Sequence, residues 1–116
     1  MTPKEPGGRV TSGQDRGGEP RARVEVVVGG RVQGVGYRMF AADLAIDRGI
    51  TGWVANEPDG SVRCVAEGPR AVLEAFVRDL AVGPRSAVVD RFSVSWSKAL
   101  DGFDRFAIRS GWHGGD

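Results

Sequence analysis

The sequence predicts an α+β domain in which strands and helices follow the order β-α-β-β-α-β, with one short strand after the last. Three observations carry that expectation. Runs of β-branched and aromatic residues recur along the chain, as in Arg23-Val-Glu-Val-Val-Val-Gly29. Two intervening segments place apolar residues at helical spacing. Glycine and proline stand at nearly every boundary between these segments, where the chain must turn.

The elements follow in order. Residues 23–29 suit a central strand, and the glycine-punctuated stretch Gly29 to Gly36 follows it. Tyr37 to Arg48 carries Phe40, Ala41, Leu44 and Ala45 as an amphipathic stripe, with Gly49 placed to end the helix in a left-handed cap. Residues 51–57 and 61–67 read as two strands joined through Pro58-Asp59-Gly60, a strong turn sequence, so they form a hairpin. Gly68-Pro69 opens a second helix with its stripe at Val72, Leu73, Phe76, Val77 and Leu80, and Gly83-Pro84 closes it. Residues 87–96 form a fourth strand, and Phe103 to Arg109 a short last one. Two helices cannot cover both faces of such a sheet, so they pack side by side on one face. The expected architecture is a ferredoxin-like α/β sandwich with a mostly antiparallel sheet and right-handed crossovers. Its first two strands run parallel and end at one edge, the position where open α/β sheets bind ligands.

Composition bounds the function. The 116 residues are 41% hydrophobic and 27% charged, with 16 basic residues against 15 acidic ones and a net charge of +1. Such a balance gives no electrostatic case for nucleic acid or an anionic membrane as partner. One cysteine and one histidine exclude an intrachain disulfide and a Cys/His zinc site. Residues 1–22 hold five of the 18 glycines and three of the six prolines, too little apolar surface to offset chain entropy. They are expected to form a disordered tail before a domain over residues 23–110, with 111–116 a flexible C-terminus. With no apolar leader-like run, the expected location is the cytoplasm.

The chemistry concentrates in the first loop. Gly30, Gly34 and Gly36 lie between a strand and a helix, where glycine lets successive amides point inward beside the positive end of a helix. Arg38 follows in the first helical turn, where its guanidinium could engage two phosphate oxygens at once. The loop is neither a Walker A sequence nor a dinucleotide fingerprint, because no Gly-Lys-Ser/Thr occurs and Phe40 stands where a third glycine would be needed. Read from the residues alone, it is either a phosphate cradle or a plain strand-to-helix turn. Other reactive residues have ordinary explanations. Cys64 reads as a small buried hydrophobe, Asp43 and Asp47 as one solvated helix face, and His113 as part of a fraying terminus. Trp53, Trp96 and the strand phenylalanines are expected in the core, and Glu57, Asp59 and Asp90 in turns or on the surface.

Gly30-Arg31-Val32-Gln33-Gly34-Val35-Gly36-Tyr37-Arg38 closely resembles the signature of the acylphosphatase family. A second family segment follows as Gly49-Ile50-Thr51-Gly52-Trp53-Val54-Ala55-Asn56 with Asp59-Gly60-Ser61-Val62, and the resemblance runs over about residues 24–110. It implies hydrolysis of a small-molecule acyl phosphate to a carboxylate and inorganic phosphate, with no metal or other cofactor. It also implies Arg38 and Asn56 as catalytic residues, Arg38 binding phosphate and Asn56 orienting water. The amides of Gly34, Val35, Gly36, Tyr37 and Arg38 would join them around the phosphoryl oxygens. Tyr37 stands where the family often has phenylalanine, and its hydroxyl is expected to point outward. A monomer is expected. The alternative is a non-catalytic module that binds phosphate or carbamoyl phosphate, for which a water-orienting Asn56 would be superfluous. An RNA-binding sheet lacks the aromatic strand motifs and the positive charge it would require.

Overall fold

The structure, a computed structural model, describes residues 19–110. Seven elements form in the expected order: β1 (Arg21–Arg31), α1 (Tyr37–Asp47), β2 (Thr51–Asn56), β3 (Val62–Pro69), α2 (Arg70–Val82), β4 (Val88–Lys98) and β5 (Phe106–Arg109). They build one five-stranded sheet of order β4-β1-β3-β2-β5. β1 and β2 both lie antiparallel to β3, and β5 adds to the outer edge of β2 in parallel. This is the ferredoxin-like arrangement. Both helices pack on the face presented by Val24, Val26 and Val28 of β1, and Ala41, Ala45, Leu73, Phe76 and Leu80 complete that core.

β1 begins at Arg21, two residues before the expected domain boundary, because Ala22 is paired between Gly68 and Lys98 and is itself buried. The rest of the expected tail, residues 1–18, and the 111–116 terminus with His113 lie outside the described residues. Pro69 ends β3 and caps α2 rather than occupying its first turn, and the Arg70 amide donates to Pro20 O at 2.9 Å. Among the described residues, no helix is long and apolar enough to cross a membrane.

β4 is an edge strand, so Val88 and Val94 stay 54% and 37% exposed. One expectation about the core needs correcting. Trp53, Trp96 and Phe92 are only half-buried, while Phe106 is in the core. The tryptophans satisfy their exposed rings with cations instead. Arg70 lies 3.7 Å from the Trp96 ring centroid and Arg109 lies 4.6 Å from that of Trp53.

The helix-free face is crossed by the connection from β4 to β5, which must pass from one edge of the sheet to the other. Its anchor is Glu67 of β3, fully buried although charged. The carboxylate accepts hydrogen bonds from the Leu100 amide at 2.9 Å, the Asp101 amide at 2.8 Å and Arg23 Nη1 at 2.9 Å. Arg23 in turn lies 5.3 Å from the Phe103 ring centroid, so cation, anion and strap form one layer. Burial by itself would raise the Glu67 carboxyl, but the two amides and the guanidinium outweigh it and hold the group below the ordinary glutamate range.

A carboxyl whose folded pKa is depressed contributes stability that is complete above its unfolded pKa, near 4.3 for glutamate. That contribution is lost as pH falls through the lower folded value. Glu67→Gln, which removes one acceptor from a buried cluster, is expected to lower unfolding free energy at pH 7 by about 1–3 kcal/mol. It should also flatten the acid limb of the stability curve. Urea melts of both proteins between pH 2 and 7 provide the check, and an unchanged acid limb would remove Glu67 as the anchor.

Candidate active site

Because β1 and β2 flank β3 in the same direction, their C-terminal ends meet one edge of the sheet. The loop after β1 and Asn56 at the end of β2 therefore share that edge, as the strand order predicts. Gly34 and Gly36 have φ of +76° and +81°, and a Cβ at either would meet nothing. They are required by backbone conformation rather than by space. Gly36 is the N-cap of α1, with no side chain capping the helix and no acidic residue in its first turn. The positive end of the helix is thus left without an internal anion.

The loop is held from two sides. Ser86 Oγ donates to the Val35 carbonyl at 2.9 Å. Gln33 Nε2 donates to the carbonyls of Glu57 and Ser61, at 2.9 and 2.8 Å, and so grips the turn that follows Asn56. That turn closes on itself through Glu57 N to Ser61 O at 2.9 Å. Asp59 Oδ1 accepts from the Ser61 hydroxyl at 2.6 Å and from its amide at 2.9 Å, and these bonds hold the Asp59 carboxyl below its usual range. Asp59 therefore has the turn role expected of it.

Arg38 and Asn56 come to adjacent strand ends. Arg38 Nη1 donates to the Arg109 carbonyl at 3.2 Å, and Arg109 pairs across the sheet with Ala55, the residue before Asn56. Asn56 is 5% exposed, so its carboxamide is set in the protein rather than free in solvent. The arrangement gathers a guanidinium, the N-terminal end of α1 and a buried carboxamide at one edge, a set that suits an anion and a water molecule.

Tyr37 departs from expectation. Its ring is 1% exposed and its hydroxyl points inward, donating to the Leu80 carbonyl. Leu80 lies in the last turn of α2, and the residue four places on, Pro84, has no N–H to offer it. Tyr37 supplies the missing donor. Burial pushes its phenol up, so the proton stays in place at any working pH. The proline four residues after a leucine was the available sequence signal.

The remaining candidates lie elsewhere. Cys64 is buried on the helix-facing side of β3 and burial pushes its thiol up, which suits a core residue. Asp43 and Asp47 are exposed on α1, and no group of three or more metal-ligating side chains occurs among the described residues. Gln33 and Glu67, to which the sequence assigned nothing, are the polar groups that reasoning from residue types missed.

Residues 24–108 match the family model described as Acylphosphatase. An acylphosphatase of Salinibacter ruber is 48% identical over 87 residues, covering 75% of this chain and 92% of that protein. The crystal structure of acylphosphatase from Bacillus subtilis superposes with a TM-score of 0.73 at 41% identity, covering 76% of this chain and 98% of that one. Full-length HypF, solved in a phosphate- and nucleotide-bound form, gives a TM-score of 0.74 at 26% identity over 84% of this chain but 13% of its own.

Tyr37→Phe tests the inward hydroxyl. It leaves the Leu80 carbonyl buried without a donor, so unfolding free energy should fall by about 1–3 kcal/mol. Equal thermal stability of the variant and the parent in calorimetry would show that the bond contributes nothing.

Proposed function

The chain belongs to the acylphosphatase family, and on that premise we propose that Arg38 and the loop amides hold the phosphoryl group while Asn56 aligns the attacking water. The reaction is hydrolysis of the carboxyl–phosphate mixed anhydride of an acyl phosphate to a carboxylate and inorganic phosphate. The observation that supports the residue assignment is that Arg38 reaches the carbonyl of Arg109, the β5 residue registered with Ala55, directly before Asn56.

The division of labour follows from the chemistry. In this reading the water oxygen forms a bond to phosphorus as the bond from phosphorus to the bridging oxygen breaks. The electron pair leaves with the carboxylate, and the proton of the water passes to a phosphate oxygen. A carboxylate leaves readily, so no acid is needed at the bridging atom. Catalysis can then consist of positioning and of stabilising charge on the transferring group. In this reading the amides of Gly34, Val35, Gly36, Tyr37 and Arg38 donate to those oxygens, at a helix end that favours an anion. The Arg38 guanidinium adds a charge and a planar fork. A carboxamide cannot take a proton at neutral pH, so Asn56 orients water and is not its base.

The substrate is a small-molecule acyl phosphate and the reaction draws on no cofactor. A monomer in the cytoplasm is part of the same reading. A non-catalytic phosphate-binding module is not favoured, given 48% identity to an acylphosphatase over nearly the whole of that relative.

The test is hydrolysis of benzoyl phosphate, with a chelator present, by the parent chain and three variants. Arg38→Ala should abolish turnover and also weaken inhibition by inorganic phosphate, by about 2–5 kcal/mol for a charge whose partner loses its contact. Asn56→Ala should lower kcat on the order of 100-fold, as displaced reactants do, with phosphate inhibition almost unchanged. Asn56→Asp places a negative charge beside the bound anion and should be inactive. Full activity in Asn56→Asp, or lost phosphate affinity in Asn56→Ala, would overturn the water-orienting role.

A further inference from the structure

The Gln33 carboxamide joins two segments that the proposed mechanism uses for different ends. It leaves from the loop that holds phosphate, and it reaches the carbonyls of Glu57 and Ser61 at the two ends of the turn after Asn56. Both partners are acceptors, so only the NH2 group can face them, and its two hydrogens are both committed. The same carbonyl of Ser61 also receives the Glu57 amide. One nitrogen therefore closes the mouth of the turn and fixes its distance from the loop.

We propose that Gln33 is a positioning residue that sets the distance and angle between the bound phosphoryl group and the Asn56-aligned water. The inference rests on the assignment of Arg38 and Asn56 made above. Its physical basis is that attack on phosphorus must run in line with the breaking bond, and small displacements of the water lose much of the rate. Loop and strand end are separated in sequence by the whole of α1. A link between them that bypasses the helix removes the error accumulated along it. Glu57 is one peptide from Asn56, so fixing the Glu57 carbonyl restrains the plane in which β2 ends. Ser86 steadies the loop from its other side through Val35, so losing Gln33 frees the turn more than the cradle.

This predicts a split that a purely structural role would not give. Gln33→Met keeps the length of the side chain and removes both donors. Its kcat for benzoyl phosphate should fall on the order of 10–100-fold, while KM and inhibition by inorganic phosphate stay close to those of the parent. Gln33→Glu keeps the shape but turns oxygens toward two carbonyls, and its kcat should fall at least as far. Should Gln33→Met unfold at the assay temperature, Gln33→Asn, with the donors on a shorter arm, carries the same expectation at smaller amplitude. A folded Gln33→Met or Gln33→Glu with parental kcat overturns the proposal, and so does a loss of phosphate affinity as large as the loss of kcat. Arg38→Ala and Asn56→Ala run alongside separate the two levels. If they retain activity, the site assignment fails, whereas if they lose it and Gln33→Met does not, only the positioning role fails.

Discussion

β3 is the strand on which the arrangement of the site depends. It lies in the middle of the sheet, six of its eight residues buried, and its neighbours β1 and β2 both run against it. Two strands antiparallel to a third are parallel to one another. This brings the ends of β1 and β2, far apart in the chain, to one edge although the two strands do not pair. Adding β5 in parallel beside β2 delivers the Arg109 carbonyl to the same edge, where Arg38 can reach it. The site is a property of strand direction before it is a property of side chains.

Strand direction alone leaves the loop free to move, and the bonds around it remove that freedom in a graded way. Tyr37, directly before Arg38, is fixed to the last turn of α2 through a carbonyl that proline leaves without a helical donor. Ser86 and Gln33 hold the loop at Val35 and across to the β2–β3 turn. At the start of α1, the N-cap Gly36 brings no side-chain cap. The loop is thus braced at its flanks from outside, and on the proposed assignment such bracing before an anion arrives is the condition for electrostatic preorganisation.

Much of the fold was legible because it is written in short-range pattern. The strand runs, the two helical stripes and the Gly-Pro boundaries placed every element within a few residues. Gly34 and Gly36 were legible for the same reason, since a left-handed backbone leaves its mark in one residue. What failed depended on neighbours across the sheet. Trp53 and Trp96 are hydrophobic enough for the core, but whether they reach it depends on which face and which edge they occupy. Nothing local marks Glu67, whose amide partners arrive only when the chain between β4 and β5 is laid over it. Asn56 has no distinguishing local pattern at all, and only its place in a resembling segment marked it. Tyr37 was misjudged in direction because its acceptor lies on another helix.

The pairing of β1 has a consequence for the moment at which the chain can fold. Its two ladders are with β3 and β4, so Val28 waits for Val62 and Arg31 waits for Val88. A chain emerging from the ribosome presents β1 first, valine-rich and without a partner on either side. The β2–β3 hairpin can close early, but it cannot complete the core until β1 joins it. Non-local pairing of this kind is slow to form and leaves an unpaired edge open to other chains in the interval. The element that leads into the glycine loop is therefore also the one most exposed to wrong partners during synthesis.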